Sequence, residues 1–98
     1  MSIEVTVRHL DINESLQGYA REKANKLKGD FSAIEFVRVV LDKDGPFYTA
    51  NIFVQGGQRT SVDGINKDAD IIGAINGAFE KVEAMLRKNA KKLHNPRN

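Results

Sequence analysis

The sequence predicts an α+β fold: a two-layer β-α-β-β-β-α domain, with two helices packed on one face of a four-stranded mixed sheet. Three observations predict it. Apolar residues alternate at period two in the opening segment. The spacing turns helical twice, once soon after that segment and once over the last third of the chain. Between the helical stretches lie three extended runs separated by turn signals.

Ile3, Val5 and Val7 share one face of the first strand and Glu4, Thr6 and Arg8 the other, as a half-buried strand requires. Asn13 is a good N-cap, with Glu14 in the first turn to suit the helix dipole. Leu16, Tyr19, Ala20, Ala24 and Leu27 follow at helical spacing, and Gly29 supplies a stop. Ile34 to Leu41 is β-branched and apolar on both faces, which predicts a central strand covered at least partly on both sides; Asp44-Gly45-Pro46 then turns the chain. Phe47 to Gln55 is the next strand, and Gly56-Gly57 leads into a short one from Gln58 to Val62. After Gly64 the period is helical: Ile72, Ile75, Phe79, Val82, Leu86 and Leu93 step by three or four, with Ala90 filling the one gap, Asn66 or Asp68 caps the start, and Asn95-Pro96 ends it. The first strand, helix and second strand form a right-handed βαβ crossover, and the last three strands form an antiparallel meander.

A chain of 98 residues and 10.9 kDa makes one domain. With no cysteine, disulfides, thiolate metal sites and thiol catalysis are excluded. The opening MSIEVTVRHL has neither the basic start nor the apolar run of a signal peptide, so a cytoplasmic protein is expected, with no membrane partner. Catalytic signals are thin. His9 and His94 stand near opposite ends of the chain, Asp42 and Asp44 flank a hairpin turn, and Gly56-Gly57 lacks the following helix of a phosphate loop. No enzyme, cofactor or metal is expected.

Charge is the informative property. Residues 1–86 carry ten basic and thirteen acidic groups, whereas residues 87–98 carry Arg87, Lys88, Lys91, Lys92 and Arg97 with no acid. On a helical wheel Lys88 and Lys92 each fall about 20° from Lys81, and the stripe lies some 130° from the apolar face, with Lys91 beside it. Two readings fit. Cations near a helix C-terminus offset its dipole and keep the domain soluble; or they bind phosphates along an RNA, with little dependence on sequence. In the first helix Lys23 projects with Leu16 and Leu27, so it would snorkel along the buried stripe to the seam between helices, with Lys26 beside it. Side-by-side helices would then join Lys23 and Lys26 to Lys81, Lys88 and Lys92 in one basic groove. Solvent-facing aromatics are few, Phe47 and Phe53 being the main candidates, which argues against base stacking on the sheet.

Order and spacing together resemble a known family, the ribosome hibernation promoting factors and ribosome-associated inhibitors, also called sigma-factor modulation proteins. The matching stretches are Asp11-Ile12-Asn13-Glu14-Ser15-Leu16, Glu22-Lys23-Ala24-Asn25-Lys26-Leu27, Gly56-Gly57 and Asp70-Ile71-Ile72-Gly73-Ala74-Ile75-Asn76, followed by Lys81. The resemblance runs from about residue 3 to 93 and is to the short form, without the dimerising C-terminal domain of the long-form members. It implies a single ribosome-binding domain over residues 1–98, with a basic tail from about residue 94. It further implies a non-enzymatic inhibitor that binds rRNA of the small ribosomal subunit near the tRNA and mRNA channel. Lys23, Lys26, Lys81 and Lys88 carry over by position and Lys91 and Lys92 more loosely, while Arg87 is added from charge alone. Two departures stand out: Ile71-Ile72 where the family has Met-Tyr, and Ala84-Met85 where it has Arg-Gln. The rival reading is a protein-interaction module of the same fold, acting on a protein partner or by weak homodimerisation through the open edge of the short strand, without RNA.

Overall fold

The computed structural model describes residues 2–11, 13–57 and 60–94, with side chains through residue 89. Its elements are β1 (Ser2–Arg8), α1 (Glu14–Asp30), β2 (Ile34–Asp44), β3 (Phe47–Gly56), β4 (Ser61–Asp68) and α2 (Ile71–His94). They form one four-stranded sheet in the order β1-β2-β3-β4, with β1 parallel to β2 and the rest antiparallel. The α+β order is the one the sequence predicts.

Both helices cover the sheet face that carries Val37, Val39 and Leu41 of β2, Ala50, Ile52 and Val54 of β3, and Val62 of β4, all buried. Packing of α1 is against β1 and β2, and of α2 against β3 and β4. Asn13 caps α1, its side-chain oxygen accepting the N–H groups of Ser15 and Leu16 at 2.8 and 3.2 Å. Gly29 does not stop the helix. The chain continues helical to Asp30 and leaves at Phe31, whose backbone is extended and whose N–H donates to the Leu27 carbonyl at 3.0 Å. Phe31 packs against the core, so a tertiary contact sets this terminus.

Further expectations are corrected. β2 runs on to Asp44, because pairing with β3 persists through Asp42↔Thr49 and Lys43↔Tyr48 as far as the turn. Gly45 there has φ 61° and Pro46 follows, the sign pattern of a tight type II′ hairpin. β2 is central as expected, fully covered on its helix side and partly on the other, where Phe36 and Val40 are half-buried and, with Arg38, shelter one another and Phe53. The Phe36 and Phe53 rings meet edge-on at 6.5 Å, and the Arg38 guanidinium sits 5.4 Å from the Phe36 ring centre.

The last correction concerns β4, which spans Ser61–Asp68 and so extends through residues where helical spacing was expected; the expected start at Gln58 lies outside the described residues. Val62, Gly64 and Asn66 face α2, while Asp63, Ile65 and Lys67 face away. Neither Asn66 nor Asp68 is the cap of α2. Asp70 fills that role, its carbonyl accepting the Ala74 N–H at 2.9 Å and its carboxylate the Ile72 N–H at 3.4 Å. Asn66 instead donates across the interface to the Gly73 carbonyl at 3.2 Å. The expected stop at Asn95-Pro96 lies outside the described residues.

The α2–β4 contact is close enough to need a bare backbone. A Cβ at Gly64 would stand 2.9 Å from Val82 Cγ2 and 3.3 Å from the Ala78 carbonyl oxygen. Gly64→Ala is therefore expected to destabilise by about 1–3 kcal/mol, as overpacking does. Gly18→Ala, in α1 with nothing within 4 Å of the added carbon, should stabilise by roughly 0.5–1 kcal/mol. Thermal unfolding of the two variants should move in opposite directions.

A second expectation concerns acid. His9, at φ 59° just beyond β1, places Nδ1 2.8 Å from Asp42 Oδ1 on the neighbouring strand. That hydrogen bond, aided by the Lys43 backbone N–H, holds the Asp42 carboxyl below its ordinary 3.8. A carboxyl depressed in the folded state contributes stability above its unfolded value and loses it as pH falls through the folded one. Urea unfolding of Asp42→Asn should accordingly be less pH-sensitive than the parent below the ordinary carboxyl range, and an unchanged acid slope would disprove the coupling.

Candidate nucleic-acid interface

Seven cations are the sequence-predicted site, and the fold divides them. On α1, Lys23 is half-buried and Lys26 exposed. Both line a small hollow of about 80 Å³ in the seam between the helices, together with Leu27 and Phe79. Lys23 therefore reaches the seam as its position on the apolar stripe requires. The α2 side of that seam, however, is Asn76, Phe79, Glu80 and Glu83, and Asp30 joins from α1. Tyr19 closes one end by donating its hydroxyl hydrogen to Asn76 Oδ1 at 2.7 Å.

Lys81 lies on the other flank of α2. Its Nζ donates to the Ile65 carbonyl of β4 at 2.8 Å. Lys88, seven residues on and thus about 20° away around the axis, is exposed on the same flank. Neither lysine forms an ion pair among the described residues. The single basic groove expected from the wheel is thus not formed: Lys23 and Lys26 stand on one side of α2, Lys81 and Lys88 on the other, with Glu80 and Glu83 towards the first pair. A wheel fixes angles within a helix but not which flank meets a neighbour. That follows from the strand order, which seats α2 over β3 and β4 with its Asn76/Glu83 flank turned to α1.

Arg87 is exposed but engaged, its Nη2 donating to Glu83 Oε2 at 3.1 Å one helical turn away. Lys91 and Lys92 continue the α2 backbone; their side chains, and all of Arg97, lie outside the described residues. The Lys81 flank is the best-defined cationic surface. From Gly77 through Lys81, Ala84 and Lys88 no carboxylate interrupts it. Anchoring by the Ile65 carbonyl orders the Lys81 side chain while leaving two of its three N–H donors and its whole charge available.

The open face of the sheet is of a different kind. A shallow hollow of about 250 Å³ is lined by Arg38, Val40, Asn51, Phe53 and Asp63. Arg38 Nε already donates to Glu4 Oε1 at 2.8 Å, and Lys67 Nζ lies 3.0 Å from Asp44 Oδ2. Two cations of this face are thus paired to carboxylates and Asp63 stands in the hollow itself, so the face is less suited to a polyanion than the Lys81 flank. Phe36 joins Phe47 and Phe53 there; alternation along β2 from the buried Val37 was the signal that places it. Among the described residues no three His, Asp or Glu side chains are grouped to hold a metal ion, and no helix is long and apolar enough to cross a membrane.

Comparison with known proteins gives the chain a context. A family model described as sigma 54 modulation protein / S30EA ribosomal protein matches residues 3–94. Among solved structures, a ribosomal subunit interface protein from Coxiella burnetii superposes with a TM-score of 0.83 at 15% identity, covering 93% of this chain and 99% of that one. The N-terminal domain of Protein Y from Thermus thermophilus superposes with a TM-score of 0.78 at 26% identity, covering 90% of this chain and 98% of that one. No curated protein sequence matches this one.

Proposed function

The chain belongs to the sigma 54 modulation protein / S30EA ribosomal protein family, and from that premise we propose that it is a non-enzymatic translation inhibitor that binds the ribosome. It holds rRNA of the small subunit beside the tRNA and mRNA channel and silences the ribosome by filling that path. The observation that carries this reading is the acid-free flank of α2, with Lys81 pre-ordered on Ile65 and Lys88 exposed and unpaired among the described residues. Phosphate binding by lysine releases condensed counterions, so it is strong at low salt and sequence-tolerant. Ordering a free lysine costs up to about 2 kcal/mol of rotamer entropy, part of which Lys81 has met before any RNA arrives.

The contacts are unequal in this reading. Lys81 and Lys88 lead, and Lys91 and Lys92 follow by their place in the sequence of α2. Lys23 and Lys26 contribute less, because Asp30, Glu80 and Glu83 share the seam with them and repel a polyanion. Arg87 contributes only in so far as it leaves Glu83. Cytoplasmic ribosomes under stress are the setting that the family resemblance implies.

Three experiments test this. With about five phosphates contacted, the logarithm of ribosome affinity should fall against the logarithm of salt with a slope between about −3.5 and −4.5. The double variant Lys81→Glu/Lys88→Glu should keep its circular dichroism spectrum yet fail to co-sediment with ribosomes at low salt; undiminished pelleting overturns the proposal. Glu83→Gln should act in the opposite sense. Losing the carboxylate frees Arg87 and lowers repulsion at the seam, so ribosome binding should tighten and its salt slope steepen by about 0.7–0.9 for the one added contact. Unchanged binding by that variant would remove Arg87 from the interface.

A further inference from the structure

β4 is an edge strand. The Gly56 N–H donates to the Thr60 carbonyl at 2.9 Å, and this sets the phase of the ladder. Even-numbered residues of β4 bond to β3, so the peptide groups of Ser61, Asp63, Ile65 and Lys67 turn outward, unpaired by any described strand. The Lys81 contact to the Ile65 carbonyl agrees with that phase. The side chains of the same odd residues lie on the uncovered face of the sheet. Ile65 is 57% exposed, more than the other exposed large apolar residues, Phe47 and Ile72. It is flanked two residues before by Asp63 and two residues after by Lys67.

We propose that β4 is a self-pairing edge: a second copy of this chain docks antiparallel along it with Ile65 on the two-fold axis, and Lys81 is the side chain that guards the edge. The pattern Asp63-Ile65-Lys67 is self-complementary in that register. Asp63 lies opposite Lys67 of the second copy, Lys67 opposite its Asp63, and the two isoleucines meet. All three pairings join outward-facing peptide groups, giving about six main-chain hydrogen bonds and one eight-stranded sheet. Shifting the register by two residues sets Ile65 against a charged side chain, and shifting it by four brings Asp63 against Asp63 or Lys67 against Lys67. Charge therefore selects one alignment. The other edge fits less well: the central outward side chain of β1 is Thr6 and its Glu4 is held by Arg38.

Pairing has an obstacle built into the fold. Lys81 Nζ occupies the Ile65 carbonyl, and Lys67 leans on Asp44 at 3.0 Å and over the Phe47 ring at 5.6 Å. A cation laid on an edge is a common way of keeping strands from meeting. Strand-to-strand contact alone also buries less than the roughly 1,000 Å² of a stable interface, so the dimer is weak and concentration-dependent. This inference does not rest on the ribosomal reading.

The chain has no cysteine, which makes single-cysteine cross-linking clean. Residues on the axis come within the roughly 4.4–6.8 Å Cα separation that a disulfide needs. Positions two residues off it lie about 13 Å from their own copies. Under mild oxidation of the full chain, Ile65→Cys should form a covalent dimer. Asp63→Cys and Lys67→Cys should not do so alone but should cross-link when mixed. Adding Lys81→Met should speed the Ile65→Cys reaction about tenfold and raise the dimer fraction of the cysteine-free protein in sedimentation by a similar factor. Circular dichroism of each variant confirms folding. Self-linking of Asp63→Cys or of Thr6→Cys at the Ile65→Cys rate would overturn the register. Cross-linking of Ile65→Cys no faster than of an exposed Gly18→Cys control, or indifference to Lys81→Met, would overturn the proposal.

Discussion

The approach of α2 to β4 at Gly64 governs the rest of the molecule. With Val82 and Ala78 lying against a residue that has no side chain, the helix sits low over β3 and β4. Asn66 then reaches the carbonyl of Gly73, fixing the helix along its length as well as in height. Seated that way, α2 directs Phe79 and Glu83 at α1 and leaves Lys81 within reach of the β4 backbone. A larger residue at 64 would lift the helix and separate Lys81 from Ile65, so packing in the core and charge at the surface are one constraint.

The division of the cations follows from the same seating. Lysines on both helices invite the picture of a shared groove, yet the groove holds three carboxylates against two ammonium groups. The seam is thus close to electrically balanced, and Arg87 is drawn into that balance by Glu83. The opposite flank of α2 has no such counterweight. Ala84 is exposed between Lys81 and Lys88, at a position where the family resemblance leads one to expect arginine. Its methyl group leaves a gap in the ridge, and the charge beyond it falls to Lys88 and the lysines that follow.

Most of the fold was legible because its signals are local. Alternation in β1, the Asn13 cap, the Gly45-Pro46 turn and the apolar stripe of α2 each depend on near neighbours in the chain. The misread stretches are those where the deciding contact is distant. Residues 64–68 look neutral to either period, since Gly64 contributes no hydrophobic signal and Asn66 and Asp68 resemble caps; only β3 on one side and α2 on the other make them a strand. Gly29 resembles a stop until Phe31, anchored in the core, proves to be the end. For the site, the wheel grouped Lys81 with Lys88 and placed Lys23 at the seam. It had no means of knowing that the flanks of α2 differ in neighbour, because strand order is not written in any one helix.

Lys81 belongs to both surfaces. Its ammonium closes the outward carbonyl at the centre of β4 and stands at the head of the acid-free flank of α2. A lysine has three donors, so a phosphate could be held while the Ile65 carbonyl remains occupied, and RNA would then reinforce the closed edge. A second β4 strand, by contrast, needs that carbonyl for itself and must displace the ammonium outward, away from the sheet. Binding of RNA and pairing of strands thus place opposite demands on one side chain. If both proposed partners bind, the cationic flank and the free edge are not independent surfaces: whichever binds first would alter what the other meets.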